Sequence, residues 1–314
     1  MSDTPLFEKI TIIGMGLIGS SIARAARKGN LAGKIIAADI DADVCSRVKK
    51  LGIADAVMSD IKQSVAGSDL VVLCVPVGAF AEIGEEIGPA LKSGAVVTDV
   101  GSVKKSIVEA FLPWVPDSCH FVPGHPIAGT EHSGPEAGFA ELFEGRWCIL
   151  TPGADTDIKA VEKVTKLWEG CGSLIEIMDP EHHDLVLAIT SHLPHLIAYT
   201  IVGTADELGD DIKSEVIKFS ASGFRDFTRI AASNPVMWRD VFLNNKDAVL
   251  EILQRFSEDL TALQKSIRRG DGKYLFDTFT RTRAIRREVI EQGQADYRAP
   301  GGVVQAGTPP VSQD

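Results

Sequence analysis

The side chains with which this chain can do chemistry gather in a few short stretches. His125 lies in GHPIAGTEHSG (residues 124–134), crowded with small residues and turn formers. An imidazole near its ordinary pKa can hydrogen-bond a hydroxyl and take its proton as a carbonyl forms. The same residue can also be a turn histidine capping a backbone group. Ser102, in GSVKKSIVEA, reads on its own most simply as the N-cap of a helix. Further on, Ser191 and His195 lie four apart in SHLPH and share a helix face, as do Arg225 and Arg229 in FSASGFRDFTRIAA. His182, His183, His192 and His195 invite a zinc site, but no carboxylate or cysteine completes a convincing set, so no metal is expected. Kink-lining or core histidines are the plainer reading.

What these groups can act on depends on the elements that position them. Residues 9–23 read KITIIGMGLIGSSIA, a β-branched run followed by Gly14-Met15-Gly16-Leu17-Ile18-Gly19 and an apolar helical pattern. In a dinucleotide-binding turn the first glycine makes the tight turn, the second lets the backbone approach a pyrophosphate, and the third packs helix on strand. Gly14, Gly16 and Gly19 take those jobs, and the helix start at Leu17 and Ile18 offers N–H groups to the phosphates. A second strand, Lys34–Ala38, ends at Asp39, twenty residues past Gly19, where an acid meets ribose hydroxyls. A carboxylate there repels a 2′-phosphate, so the expected cofactor is NAD rather than NADP.

Beyond Asp39 the pattern alternates. Helices are expected over Asp43–Leu51, Ala79–Leu91 and Ile158–Cys171. Strands are expected at Ala54–Met58, Asp69–Pro76, Ala95–Val100, Cys119–Val122, Arg146–Thr151 and Ser173–Met178. This order predicts an α/β fold with an N-terminal Rossmann-like doubly wound parallel sheet and ligands at the carboxyl ends of its strands. Val75-Pro76, Asp99-Val100-Gly101-Ser102 and Gly124-His125-Pro126 fall at such ends and form one site. Val75, Pro76, Asp99 and Gly101 lie on its cofactor side.

After Asp179-Pro180 the periodicity is helical: Glu181–Leu208 with a kink near Pro194, a break at Ser222-Gly223, and a helix opened by Asn234-Pro235. Two more helices follow, from Lys246 to Ile267 and over Tyr274–Glu291. Val249, Leu253, Phe256, Leu260, Leu263 and Ile267 recur at steps of four and three, a seam that suits contact between subunits. The expected organisation is a dinucleotide-binding domain over 1–178, an all-helical domain making a homodimer over 179–297, and a Pro/Gly-rich tail over 298–314 with the composition of disorder.

The net charge of −11 over 314 residues argues against nucleic acid or an anionic membrane surface as the main partner. No apolar run approaches a membrane span, and the N-terminus lacks a signal pattern. Cys45, Cys74, Cys119, Cys148 and Cys171 are scattered without C-x-x-C spacing, as reduced core residues of a cytoplasmic protein would be.

GMGLIGSS, TDVGSVK, GHPIAGTEHSG, SHLPH and GFRDFTRIA, in this order over about residues 8–292, resemble the prephenate/arogenate (cyclohexadienyl) dehydrogenase family of tyrosine biosynthesis. The resemblance implies NAD-linked oxidation of the C4 carbinol of a cyclohexadiene, with loss of the C1 carboxylate as CO2 from prephenate, arogenate or both. It implies that His125 accepts the hydroxyl proton, Ser102 orients that hydroxyl, and Thr130 lies in the substrate-facing loop. His195, with Ser191 on its face, lines the substrate pocket, and Arg229, ahead of Arg225, grips the ring carboxylate. Trp238 approaches the site of the partner subunit, although by itself it reads equally as a core or interface aromatic. Glu131 is a candidate for arogenate's ammonium, or is held by cations in its own loop. No tyrosine-sensing module is expected after the helices, so feedback inhibition, if present, would have to act at the active site. Two rivals stand beside this reading. A β-hydroxyacid dehydrogenase would carry a lysine where SHLPH stands, and a non-catalytic NAD-sensing regulator would not need the His125/Ser102 pair.

Overall fold

Apolar runs between Phe7 and Val122 form six strands, all parallel: β1 (Phe7–Ile13), β2 (Ala32–Ala38), β3 (Ala56–Met58), β4 (Leu70–Leu73), β5 (Val96–Asp99) and β6 (His120–Val122). The computed structural model describes residues 4–130, 132–207 and 222–289. The strand order β3-β2-β1-β4-β5-β6 is that of a doubly wound dinucleotide-binding sheet, as expected. Ile12 at the centre pairs with Ala37 on one side and Val72 on the other, and all three are fully buried. A strand covered on both faces has no polar side to present, which is why these runs do not alternate. One face packs on α1 (Leu17–Lys28) and α6 (Ile158–Gly170) through Ile22, Ala26, Val164 and Trp168. The other packs on α4 (Phe80–Ile87) and α5 (Lys105–Phe111) through Phe80, Ile107 and Phe111, joined there by Trp238 and Val241.

The next three strands leave this sheet. β7 (Gly124–Pro126), β8 (Trp147–Leu150) and β9 (Leu174–Ile177) form a separate sheet, with β7 antiparallel and β9 parallel to β8. Pro123, which has no N–H, ends the ladder after Val122 and turns the chain out. His125 is therefore on a strand, opposite Ile149, and not in a strand-end loop.

Asp179 caps α7 (Pro180–Leu187) by accepting from His182 N at 2.8 Å. A π-helical turn, Ala188–His192, follows and leads into α8 (Leu193–Glu207). This wide turn is the form the expected kink takes. Pro194 cannot donate to the carbonyl four residues back, and the helix absorbs the misfit one turn earlier. Joined through it, Pro180–Glu207 is one 28-residue helix containing an 18-residue window of mean hydropathy 1.6, so one segment does reach the length and apolarity of a membrane span, contrary to expectation. Its His183, Asp184 and His192 are buried and hydrogen-bonded within the fold.

Helices Ser222–Thr228, Pro235–Asn244, Lys246–Arg269 and Gly272–Val289 complete the described chain. Asn234 caps the second of these, as its sequence implies, and Gly270 at φ +67° stops the third. Compact units divide at Leu253 and Gln254, so the helices from Pro180 to Leu253 belong to the same unit as the sheet. Along the expected seam Val249 is buried, whereas Leu260 and Ile267 are exposed on the single chain. All five cysteines are free. Leu208, the stretch before Ser222 and the 298–314 tail lie outside the described residues.

Candidate active site

The glycine turn has the shape its residue types imply. Gly14 sits at φ +91°, and a Cβ there would lie 2.2 Å from the Cys74 carbonyl oxygen. A Cβ on Gly19 would lie 2.1 Å from the Gly14 carbonyl, so both positions exclude any side chain. A Cβ on Gly16 meets nothing within 4 Å, and no side chain caps α1 at this N-cap. Open space over an uncapped helix start is what a pyrophosphate needs. Asp39, half-buried at the end of β2, accepts from Met15 N at 2.8 Å and Asp41 N at 3.0 Å. Those two bonds tie the turn to the strand end and leave lone pairs for ribose hydroxyls. Val75 and Pro76 lie in the loop after β4.

Beneath the next loop lies a network that no motif announced. Asp99, fully buried at the end of β5, accepts from Gly101 N at 2.7 Å, from Gly124 N at 3.1 Å and from the ammonium of Lys104. Lys104 is itself fully buried and donates to the Gly124 carbonyl at 2.7 Å. Burial presses its pKa down, and Asp99 opposes that. One carboxylate thus holds the residue before Ser102 and the residue before His125. The Asp99 carboxylate is fully buried, so it serves the loop backbone and is not open to a ligand.

Ser102 does not cap a helix. α5 starts at Lys105, and its cap comes from elsewhere: Asp184 of α7 accepts from Lys104 N at 2.7 Å and Lys105 N at 3.0 Å. A carboxylate supplied across space replaces the local serine, and the half-buried Ser102 hydroxyl has no hydrogen bond among the described residues.

His125 is buried, with Nδ1 2.9 Å from Nε2 of His183; Nδ1 of His183 is 2.8 Å from Oδ1 of Asp184. Burial first, then His183, Lys104 and His192, hold His125 well below the ordinary imidazole pKa, so it is neutral at pH 7. His192, fully buried, accepts from Asn245 Nδ2 at 3.1 Å, and burial pushes its pKa down to about 4. Burial also lowers His183. These groups make a pH prediction with a definite sign. The unfolded chain binds protons near 6.5 while the folded chain resists them, so stability is full above that pH and lost as pH falls through it. His192 alone contributes a loss on the order of 3 kcal/mol by the time its folded pKa is reached. Urea midpoints should fall steadily on acidification from neutral pH; a flat profile would contradict neutral burial of these rings.

The helical half carries the remaining candidates. His195 stacks on Trp238 with ring centroids 3.7 Å apart and donates from Nδ1 to the Ser191 carbonyl at 2.8 Å, which leaves Nε2 as an acceptor. Ser191 acts here through its backbone. Trp238 is buried in the core of its own chain, so its place beside the site is through His195. Burial lowers the His195 pKa, and Arg229, exposed at the start of a 3-10 turn, adds to that in the same direction. Arg225 is exposed and paired with its neighbour Asp226 at 3.7 Å. Thr130 is half-buried and its hydroxyl accepts from His132 N at 3.2 Å; Glu131 lies outside the described residues.

Lys104, His183 and Asp184 were missed as parts of the site. A faint signal existed: a lysine five residues after a strand-end aspartate, and an acid within the first turn after Asp179-Pro180. Neither spacing says that the two meet.

Comparison with known proteins bears on the fold and the family. Residues 22–177 match the family model for the prephenate dehydrogenase nucleotide-binding domain, and residues 179–281 match that for the prephenate dehydrogenase dimerization domain. The chain is 42% identical over 281 residues to cyclohexadienyl dehydrogenase of Zymomonas mobilis, covering 90% of this chain and 96% of that one. Prephenate dehydrogenase from Aquifex aeolicus, solved with hydroxyphenyl propionate and NAD+, superposes with a TM-score of 0.83 at 37% identity, covering 90% of this chain and 98% of that one. Arogenate dehydrogenase from Synechocystis superposes at 0.75 with 28% identity, over 89% of this chain and 99% of that one. With both domain models matched along the chain, a Rossmann sheet and an intact glycine cradle, this chain belongs to the prephenate dehydrogenase family.

Proposed function

We propose that this chain catalyses the NAD-dependent oxidative decarboxylation of prephenate, arogenate or both, with His125 and Ser102 acting at the C4 carbinol. The observation that carries the site assignment is the shared anchor. Asp99 accepts from Gly101 N and Gly124 N, which draws the next residues, Ser102 and His125, toward one another, and the Ser102 hydroxyl and His125 Nε2 make no hydrogen bond among the described residues.

NAD+ held by Gly14, Gly16, Gly19 and Asp39 supplies the acceptor for the two electrons leaving C4. Asp39 favours NAD over NADP because its carboxylate repels a 2′-phosphate. Neutral His125 accepts the hydroxyl proton at Nε2 as the C4–O bond becomes a carbonyl. Once the bond from C1 to its carboxylate breaks and the ring becomes aromatic, negative charge collects on that oxygen and the proton returns from His125. The reaction therefore needs no net proton from solvent. Ser102 orients the hydroxyl, His195 lines the pocket through Nε2, with Thr130 in the facing loop, and Arg229 binds the ring carboxylate with its planar fork. A guanidinium that held this carboxylate tightest in the transition state would oppose its departure, so its energy is best used in orientation. Arg229→Ala should accordingly raise KM for the substrate by about 10- to 100-fold and lower kcat less. A fall in kcat with unchanged KM would move Arg229 out of that role.

The helical part from 179 to 297 is read as the dimerisation domain of a homodimer and 1–178 as the nucleotide-binding domain. The family-model match and the exposed Leu260 and Ile267 support the dimer. Five free thiols, four of them buried, support a cytoplasmic location. NADH absorbance with purified protein, offered prephenate and arogenate in parallel, tests the function. Turnover of either supports it, and the ratio of kcat/KM values assigns the preference. Tight NAD+ binding without turnover of either would return the protein to the regulator reading.

A further inference from the structure

The buried chain behind His125 has a polarity that can be derived link by link. Asp184 accepts backbone hydrogen bonds from Lys104 N at 2.7 Å and Lys105 N at 3.0 Å, so its carboxylate is an acceptor on every side. The 2.8 Å contact with His183 Nδ1 therefore has His183 as donor. A neutral imidazole with its proton on Nδ1 has its lone pair on Nε2. That lone pair faces His125 Nδ1 at 2.9 Å, which must then be the N–H. What is left on His125 is the lone pair of Nε2, the one a general base requires.

We propose that His183 and Asp184 are positioning residues that hold His125 as its Nδ1–H tautomer and stabilise the imidazolium formed when Nε2 takes the substrate proton. The inference rests on the reading of His125 as the base. Neither residue touches the reacting atoms: His183 is fully buried behind His125, their rings edge-to-face at 5.1 Å, and Asp184 is buried behind His183. Because Asp184 also caps α5, the network couples the loop that carries Ser102 to the orientation of the base. The other charged or titratable groups facing these rings are Lys104, His192 and Asp99. Lys104 is committed to Asp99 and the Gly124 carbonyl, and His192 to Asn245, so none of them takes the place of Asp184 at His183 Nδ1.

The relay is tested on the whole protein with ¹⁵N-labelled histidine. In substrate-free wild type, His125 should give the spectrum of an Nδ1–H imidazole. His183→Gln keeps an acceptor for that N–H, whereas His183→Leu removes it. The Gln variant should keep the tautomer and a kcat within about tenfold of wild type. The Leu variant should lose the tautomer preference and about 10²- to 10³-fold in kcat, with KM for the substrate within about threefold. An Nε2–H signal from His125 in the wild type overturns the relay without any variant. So does a Leu variant that keeps both tautomer and kcat, or equal losses in both variants. Near-normal turnover by His125→Asn would instead sink the assignment of the base, while the tautomer measurement would still report on the relay.

Discussion

His125→Asn should lower kcat by about 10²- to 10⁴-fold with the fold intact, the range expected when a general base is removed. Asparagine suits the test because its amide can still donate toward His183 Nε2, the bond that His125 Nδ1 makes at 2.9 Å. The buried network therefore keeps its partner while the lone pair at Nε2 disappears. KM and NAD+ affinity should change little, since neither the glycine cradle nor Arg229 is altered. Steady-state NADH formation gives kcat, and a thermal melt checks the fold. A variant within tenfold of wild-type kcat would remove His125 from the mechanism.

The second large effect is on stability. Lys104→Met replaces a fully buried ammonium by a thioether of similar length and strands the Asp99 carboxylate without its counter-charge. Breaking a buried pair from one side costs about 3–5 kcal/mol, because the remaining charge is neither solvated nor matched. Asp99 would keep its bonds from Gly101 N and Gly124 N, which limits the damage but does not neutralise it. The Gly124 carbonyl would lose its 2.7 Å donor, loosening the strand that carries His125. Urea unfolding should show the loss, and Asp99→Asn in the same chain should restore much of it by removing the orphaned charge. If Lys104→Met unfolds within about 1 kcal/mol of wild type, the pair is not what holds this loop.

Much of this protein is legible in its sequence for local reasons. The glycine spacing works through local backbone sterics: Gly14 sits at φ +91°, and a Cβ at Gly19 would lie 2.1 Å from the Gly14 carbonyl oxygen. Unalternating apolar runs can be satisfied only by a sheet covered on both faces, so the six-stranded parallel core follows from them. Asn234-Pro235 and Gly270 mark helix ends because capping and φ > 0 are properties of single residues.

Relations between distant residues were decided only by the fold. Pro123 sent His125 onto a second sheet, a choice its small neighbours did not reveal. Ser102 looked like a cap because capping is normally local, yet Asp184, about eighty positions away, took that role. Lys104 reads as a surface lysine until Asp99 and the Gly124 carbonyl enclose it. Composition and periodicity are short-range signals that fix elements and turns. The polarity of a hydrogen-bonded chain such as Asp184–His183–His125 exists only once the segments carrying Lys104, His125 and His183-Asp184 meet, because each proton is placed by the group beyond it.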